Sequence, residues 1–170
     1  MKPVGIFYAT RQGHTQRIAE RIAMALRGAG VEAELKNLRA GNGVEEIPIS
    51  QRYGAVILAA SVHAGFHEPE MVSFVKRHRA ELEALPNAFL SATLSQAGVE
   101  DTARPAAARV RFAADVESVL ARFRRDTGWT PQFTKPVAGA LLYTQYNFFI
   151  RFIMKRIARK AGVSTDTSRD

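Results

Sequence analysis

Residues 5–19, GIFYATRQGHTQRIA, join a short apolar run to an amphipathic stretch, and this pattern decides the fold class. Residues 4–8 combine β-branched and aromatic side chains and predict a buried strand. After an intervening loop, Ile18, Ile22 and Leu26 recur every four residues between charged side chains, which predicts a helix. A strand that is followed, after a short loop, by a helix is the first half of a strand-helix-strand unit.

The same alternation continues along the chain. Residues 31–35 alternate apolar and charged side chains, which is typical of an outer strand with one wet face. Residues 55–61, AVILAAS, are apolar throughout, as in strands that are covered on both faces. The other predicted elements are helices at 14–29, 69–82, 104–125 and 147–161 and strands at 88–94 and 137–142. We therefore predict an α/β fold, with a five-stranded parallel sheet and helices on both faces, in one domain over residues 1–170.

Composition places the chain among ordinary globular proteins. Its 170 residues are 46% hydrophobic and 24% charged, which is enough for a core and excludes a disordered chain. Cysteine is absent, which excludes a disulfide scaffold, a thiolate nucleophile and a cysteine-ligated metal, and no metal site is predicted. Any redox chemistry therefore requires a bound cofactor. We expect a cytoplasmic protein, because the longest strongly apolar stretch, residues 55–62, is too short to cross a bilayer.

The charge balance predicts an anionic partner. The chain has 24 Lys and Arg against 16 Asp and Glu, a formal net charge of +8. Nucleic acid is not the predicted partner, because the sequence has no helix-turn-helix, no RNA-binding aromatic motif and no zinc ligands. Anionic lipid and an acidic small molecule remain as candidates.

The basic segment, residues 143–162, contains a predicted amphipathic helix. On a helical wheel the apolar side holds Phe149, Ile150, Ile153, Met154 and Ile157, and the basic side holds Arg151, Lys155, Arg156 and Arg159. A basic amphipathic helix is typical of proteins that lie on a membrane surface. We therefore expect residues 147–160 to contact an anionic membrane. The alternative is a helix that packs on the core and leaves its basic face in water.

The loop between the first strand and the first helix has the composition of an anion site. It consists of Thr10, Arg11, Gln12, Gly13, His14 and Thr15. Hydroxyl groups, a glycine and free amides at a helix N-terminus bind phosphate groups well. The spacing is neither that of a Walker loop nor that of a G-x-G-x-x-G motif. The alternative is a helix cap that binds nothing.

This opening resembles that of the flavodoxins, whose loop of the same type holds the phosphate of FMN. The resemblance extends to AASVHAGFHEPEMVSFV (59–75), LSATLSQ (90–96), AGALLYTQYNFFIRFIMKRIARKAG (138–162) and STDTSRD (164–170). Together these segments are similar to one branch, the flavodoxin-type, quinone-dependent protoporphyrinogen IX dehydrogenases of bacterial haem synthesis. The resemblance implies a flavodoxin-like three-layer sandwich with the strand order 2-1-3-4-5, counted along the chain.

The resemblance also implies which residues hold FMN. The phosphate would be held by Thr10, Arg11, Gln12, Gly13, His14 and Thr15, with Arg11 either adding charge or pointing to solvent. Ordinary flavodoxins carry an amide residue at the position of His14. One face of the flavin ring would be flanked by Ser61, Val62, His63, Ala64 and Gly65, and the other by Thr93, Leu94, Ser95 and Gln96. His63, Phe66 and His67 are candidates for contact with the first face.

The function that the resemblance implies is the FMN-dependent oxidation of protoporphyrinogen IX, with a membrane quinone as electron acceptor, at the inner face of the cell membrane. The alternatives are a flavodoxin-like electron carrier and an NAD(P)H-dependent quinone reductase. Carriers tend to be acidic, so the charge of +8 disfavours the first of these. No catalytic acid or base is predicted. Such proteins continue past this point into a final helix, so we expect the natural chain to extend beyond Asp170 unless residues 147–161 cover the sheet instead.

Overall fold

A parallel sheet lies between two layers of helices. The structure, a computed structural model, describes residues 1–41, 47–138 and 143–160, with the backbone alone for 143–149 and Lys160. The strands are β1 (Val4–Ala9), β2 (Ala33–Asn37), β3 (Ala55–His63), β4 (Phe66–His67), β5 (Asn87–Ala92) and β6 (Thr134–Val137). The helices are α1 (His14–Gly28), α2 (Ile49–Arg52), α3 (Pro69–Ala84), α4 (Leu94–Glu100), α5 (Ala106–Thr127) and α6 (Tyr143–Lys160), with a 3-10 turn at Leu38–Ala40.

The order of the sheet is the one expected. The strands run β2-β1-β3-β5-β6, all pairings along this path are parallel, and β4 pairs antiparallel with the end of β3. Without the two-residue β4, which was not predicted, this is the order 2-1-3-4-5. All six residues of the central β1 are buried. β2 lies at one edge of the sheet, as its alternation of apolar and charged residues predicts.

Each face of the sheet has its own core. Ile18, Ile22 and Leu26 of α1 are buried on one face, as their spacing predicts. On the other face, α3 and α5 bury side chains that include Phe74 and Phe123. The three-layer sandwich is therefore confirmed. Val110 of α5 does not contribute to this core, because its side chain is 68% exposed.

The last parallel strand begins earlier than predicted. The predicted start of this strand at residue 137 is wrong, because β6 comprises Thr134–Val137, while residues 139–142 lie outside the described part of the chain. The sequence pattern did not indicate a strand at these residues because it contains Lys135 and Pro136, and both residue types are uncommon inside strands. Proline is tolerated here because β6 is an edge strand, which needs fewer backbone donors than a central one.

A short helix follows β5 where a strand end and a loop were expected. The predicted strand at 88–94 ends two residues earlier, at Ala92, and Thr93 caps α4 by accepting a hydrogen bond from the Ser95 amide at 3.2 Å. Gly98 allows α4 to lie close against α5, since a Cβ at this position would be 2.4 Å from the ring of Phe112. The position of α4 therefore depends on its contact with α5, which the local sequence pattern does not reveal.

Helix α6 packs against α1. Ile150, Ile153 and Ile157 are buried in the same cluster as the apolar side of α1. Arg151, Lys155 and Arg159 are exposed on the other side of the helix. This packing matches the alternative of a core-packed helix with a solvated basic face, while contact of residues 147–160 with an anionic membrane stays a prediction. Within the described ranges, no helix combines the length and apolar character that crossing a bilayer requires.

Candidate functional site

The three segments predicted to hold a ligand meet at one edge of the sheet. They follow the carboxyl ends of β1, β3 and β5, which are adjacent and parallel. Ser61 of β3 lies beside Ala92, the last residue of β5, and Thr93 follows directly. Ligands of open parallel sheets bind at this edge. The fold thus brings together segments that are more than eighty positions apart in the sequence.

The loop after β1 is folded around the start of α1. The Gly13 amide donates to Thr10 Oγ1 at 3.0 Å, which closes a tight turn. Gly13 has a φ of 85°, a left-handed conformation that glycine adopts without strain. It is the N-cap of α1, and within the described part of the chain no side-chain hydrogen bond caps this helix start. The amides of the first turn therefore remain available for an anion.

Thr15 is the least expected residue of this loop. Its side chain is completely buried, yet its Oγ1 has no hydrogen-bond partner among the residues that the structure describes. A buried hydroxyl without a partner costs about 1–3 kcal/mol, so proteins retain few of them. A ligand that accepts this hydrogen bond would remove the cost. Among the other loop residues, Arg11, Gln12 and His14 are exposed, and Thr10 and Gly13 are partly exposed.

Arg11 neither points freely to solvent nor remains unpaired. Its Nε donates to Glu68 Oε2 at 3.0 Å, and the side chain of Glu68 is only 1% exposed. The other carboxylate oxygen of Glu68 accepts from Ser61 Oγ at 3.1 Å. Sequence reasoning missed Glu68. The available signal was an acidic residue directly before Pro69, the first residue of α3, since such positions favour carboxylates.

The segment after β3 is an ordered hairpin and not a simple loop. β3 extends through Val62 to His63, and the chain turns at Ala64 and Gly65, whose φ values are 52° and 83°. The guanidinium of Arg122 donates to the Gly65 carbonyl at 2.6 Å and lies 4.5 Å from the centre of the Phe66 ring. The hairpin is thus attached to α5. Phe66 is 57% exposed, and His63 is also exposed.

His67 lies in the core instead of facing a ligand. It is 5% exposed and packs against Phe89 and Phe123, with ring centres 5.2 and 4.8 Å away. Its Nε2 is 2.8 Å from Ser91 Oγ. Burial lowers the pKa of His67 to about 4, so its imidazole is neutral at pH 7. The expectation that His67 contacts the flavin ring is therefore wrong.

The segment after β5 presents one unusually exposed apolar side chain. Thr93 is 8% exposed and caps α4, whereas Leu94 is 88% exposed. Ser95 and Gln96 are partly exposed, and the Gln96 side-chain amide donates to Glu100 at 3.0 Å. An apolar side chain this exposed at the ligand edge of a sheet is a candidate contact for an apolar group.

Comparison with known proteins supplies the family. A family model described as "flavodoxin domain" matches residues 5–168. The chain belongs to the flavodoxin family. It is 31% identical over 165 residues to the protoporphyrinogen IX dehydrogenase [quinone] of Escherichia coli (strain K12), with 97% of this chain and 83% of the relative covered. The protein of the same name from Leishmania major is 29% identical over 166 residues, which cover 97% of this chain and 66% of the relative.

A solved flavodoxin has the same fold. Oxidised flavodoxin 1 from Bacillus cereus matches with a TM-score of 0.51 and 16% identity over 93% of this chain and 98% of the other. The expected flavodoxin-like fold is therefore confirmed. The expectation of an oxidoreductase is confirmed by the dehydrogenase relatives.

Membership in this family implies a flavin cofactor, and the described residues fit one. The buried Thr15 hydroxyl and the start of α1, for which the described residues provide neither a hydrogen-bond partner nor a side-chain cap, match the needs of a phosphate group. The exposed Leu94 side chain offers apolar surface to an aromatic ring. Polar and apolar parts of the site are both present at the same edge of the sheet.

Proposed function

We propose that this flavodoxin-family protein oxidises protoporphyrinogen IX to protoporphyrin IX, with FMN as its cofactor and a membrane quinone as its electron acceptor. The names of the relatives from Escherichia coli and Leishmania major support the substrate and the acceptor. The observation that carries the cofactor part is the completely buried Thr15 hydroxyl at the start of α1, which has no partner among the residues that the structure describes. A phosphate group is the anion that such a helix start binds well.

The proposal assigns the FMN phosphate to the loop after β1. The ligands are the amides at the start of α1 and the Thr10 and Thr15 side chains, with Gln12, Gly13 and His14 as the remaining loop residues. The ring is assigned to the edge between the two other segments. Those segments are Ser61, Val62, His63, Ala64 and Gly65 on one side and Thr93, Leu94, Ser95 and Gln96 on the other.

Bound FMN would supply the redox chemistry, the transfer of hydride equivalents from the substrate and of electrons to the quinone. The chain contributes binding and orientation. Burial of the exposed Leu94 side chain against the ring or the tetrapyrrole contributes about 1.5–3 kcal/mol and excludes water. Released protons pass to water at this edge, where His63 is an exposed imidazole. His67 takes no part, because it is buried in the core and its pKa is about 4.

The proposed function predicts turnover that depends on both FMN and quinone. The purified protein, reconstituted with FMN and freed of excess, should produce protoporphyrin fluorescence from protoporphyrinogen IX without oxygen, and only when a quinone is added. Anaerobic conditions are needed because oxygen oxidises the substrate without an enzyme. Matched reactions without FMN, and with NADPH in place of the porphyrinogen, are the controls. A protein whose flavin is reduced by NADPH and not by porphyrinogen is a quinone reductase, which contradicts the proposal.

We further propose that the protein lies at the inner face of the cell membrane and binds anionic lipid through charge alone. The apolar side of α6 is occupied by α1, but Arg151, Lys155 and Arg159 are exposed. Each cation close to an anionic surface contributes about 1 kcal/mol. Replacing all three by glutamine should lower binding to anionic vesicles about 100-fold.

The matched control for this prediction changes the same charge on the other helix layer. Lys76, Arg77 and Arg111 are exposed on α3 and α5, and their replacement by glutamine should leave vesicle binding within a few-fold of wild type. Co-sedimentation with vesicles of phosphatidylglycerol and of phosphatidylcholine measures both triple variants. Equal losses for the two would show that net charge alone, and not α6, governs binding.

A further inference from the structure

One buried carboxylate connects two of the segments at the ligand edge. Glu68, directly before α3, has a side chain that is 1% exposed. Its Oε1 accepts from Ser61 Oγ at 3.1 Å, and its Oε2 accepts from Arg11 Nε at 3.0 Å. Its backbone amide also donates to the Ser61 carbonyl at 3.1 Å. The loop after β1 and the end of β3 are therefore joined through one residue.

The charge of Arg11 compensates the buried carboxylate of Glu68. A carboxylate that is almost completely buried is costly unless a cation or hydrogen bonds compensate it. Arg11 is 48% exposed and supplies the cation at 3.0 Å. If Arg11 bound a ligand instead, the Ser61 hydroxyl would be the one described side-chain partner left to the Glu68 carboxylate. Arg11 is thus held in place by the cost of an unpaired buried charge.

A second ion pair, between Arg39 and Glu70, connects the loop after β1 to the start of α3. Arg39 Nη1 donates to the Thr10 carbonyl at 3.3 Å, and its Nε lies 3.4 Å from Glu70 Oε1 in the first turn of α3. Two arginines at the loop therefore pair with two carboxylates at the start of α3. The start of this helix acts as the support for the loop that begins at Thr10.

We infer that Glu68 is a positioning residue for the flavin cofactor, and that Arg11 acts through Glu68 and not as a ligand of the phosphate. This inference rests on the proposed FMN site. FMN must contact the loop after β1 and the end of β3 at the same time, and a ligand binds more tightly when such parts are already fixed relative to each other. The phosphate is then bound by uncharged donors, namely amides and the Thr10 and Thr15 hydroxyls.

The test is a double-mutant cycle on cofactor affinity. Arg11→Gln and Glu68→Gln should each lower FMN affinity about 10-fold, and the double variant should lose no more than either single one. Riboflavin, which lacks the phosphate, should bind all four proteins within about two-fold, because it does not need the loop after β1. Quenching of flavin fluorescence measures both dissociation constants. A direct phosphate ligand would behave differently, since Glu68→Gln would then leave FMN binding unchanged or tighter.

The controls separate this role from general effects. Arg17→Gln removes one positive charge from an exposed side chain of α1 and should leave FMN affinity near wild type. Ser61→Ala, which removes the hydroxyl contact with Glu68, is the milder variant if Glu68→Gln does not fold. It should weaken FMN binding and leave riboflavin binding within about two-fold, whereas loss of a direct ring contact would weaken the binding of both flavins. Wild-type FMN affinity in Glu68→Gln, or an additive double variant, overturns the inference alone. A wild-type protein that binds no FMN instead overturns the proposed function.

Discussion

Replacing Thr15 by valine is expected to lower the affinity for FMN by about 10- to 100-fold, because the variant loses a hydrogen bond to a charged group. The same change should leave the cofactor-free protein as stable as wild type, or stabilise it by about 1 kcal/mol, since the buried hydroxyl has no described partner there. FMN affinity therefore falls while the stability of the cofactor-free protein does not. Fluorescence quenching of added FMN and urea unfolding of the cofactor-free protein measure the two effects.

The matched control is Thr15→Ser, which keeps the hydroxyl and removes one methyl group from a completely buried position. This variant should bind FMN nearly as well as wild type but lose about 1 kcal/mol of stability to the small cavity. Thr15→Val thus lowers FMN affinity and keeps stability, whereas Thr15→Ser keeps FMN affinity and lowers stability. If valine leaves FMN affinity unchanged, the hydroxyl is not a phosphate ligand, and the assignment of the loop after β1 fails.

Acidification is expected to destabilise the protein through His67. Burial lowers the pKa of this side chain from 6.5 to about 4, so between these values the unfolded chain binds more protons than the folded one. The contribution of His67 is complete above about pH 6.5 and is lost as the pH falls towards about 4. The total loss is roughly 3 kcal/mol of the free energy of unfolding. Urea unfolding at about pH 7 and about pH 4.5 measures most of it.

Variants isolate this contribution from that of carboxylates that titrate in the same range. His67→Gln cannot ionise and can still hydrogen-bond to Ser91, so its stability should fall by roughly 2 kcal/mol less than wild type over this pH interval. His63→Gln, at an exposed position, should follow wild type. The NMR titration of the His67 ring in the wild-type protein gives the pKa directly. A value near 6.5 would contradict the prediction.

Local patterns predicted the elements whose residues repeat with a clear period. The four-residue spacing of Ile18, Ile22 and Leu26 marked the buried side of α1, and the continuous apolar run of 55–61 marked a central strand. These patterns succeed because burial of one helix side, or of both strand faces, requires apolar residues at fixed spacing. The resemblance to flavodoxins then supplied the order of the sheet.

The errors fall where a contact with a distant segment decides the local structure. β6 contains Lys135 and Pro136, and it is a strand because β5 provides a partner for one of its sides. α4 exists where Thr93 caps it and Gly98 allows contact with α5. His67 looked like a polar loop residue, but the turn at Ala64 and Gly65 directs its strand back onto the core. Thr93 and the turn at Ala64 and Gly65 are local, but the segments against which β6, α4 and His67 pack lie elsewhere in the sequence.

The candidate site divides in the same way. The residue types of the loop after β1 were sufficient to predict an anion site, because hydroxyls and a glycine before a helix have a local chemical meaning. The tertiary structure alone decided that Thr15 is buried without a described partner and that Arg11 pairs with Glu68, fifty-seven residues further along the chain. Burial and ion pairing depend on which segments the fold places side by side, and this arrangement follows from the packing of the whole chain.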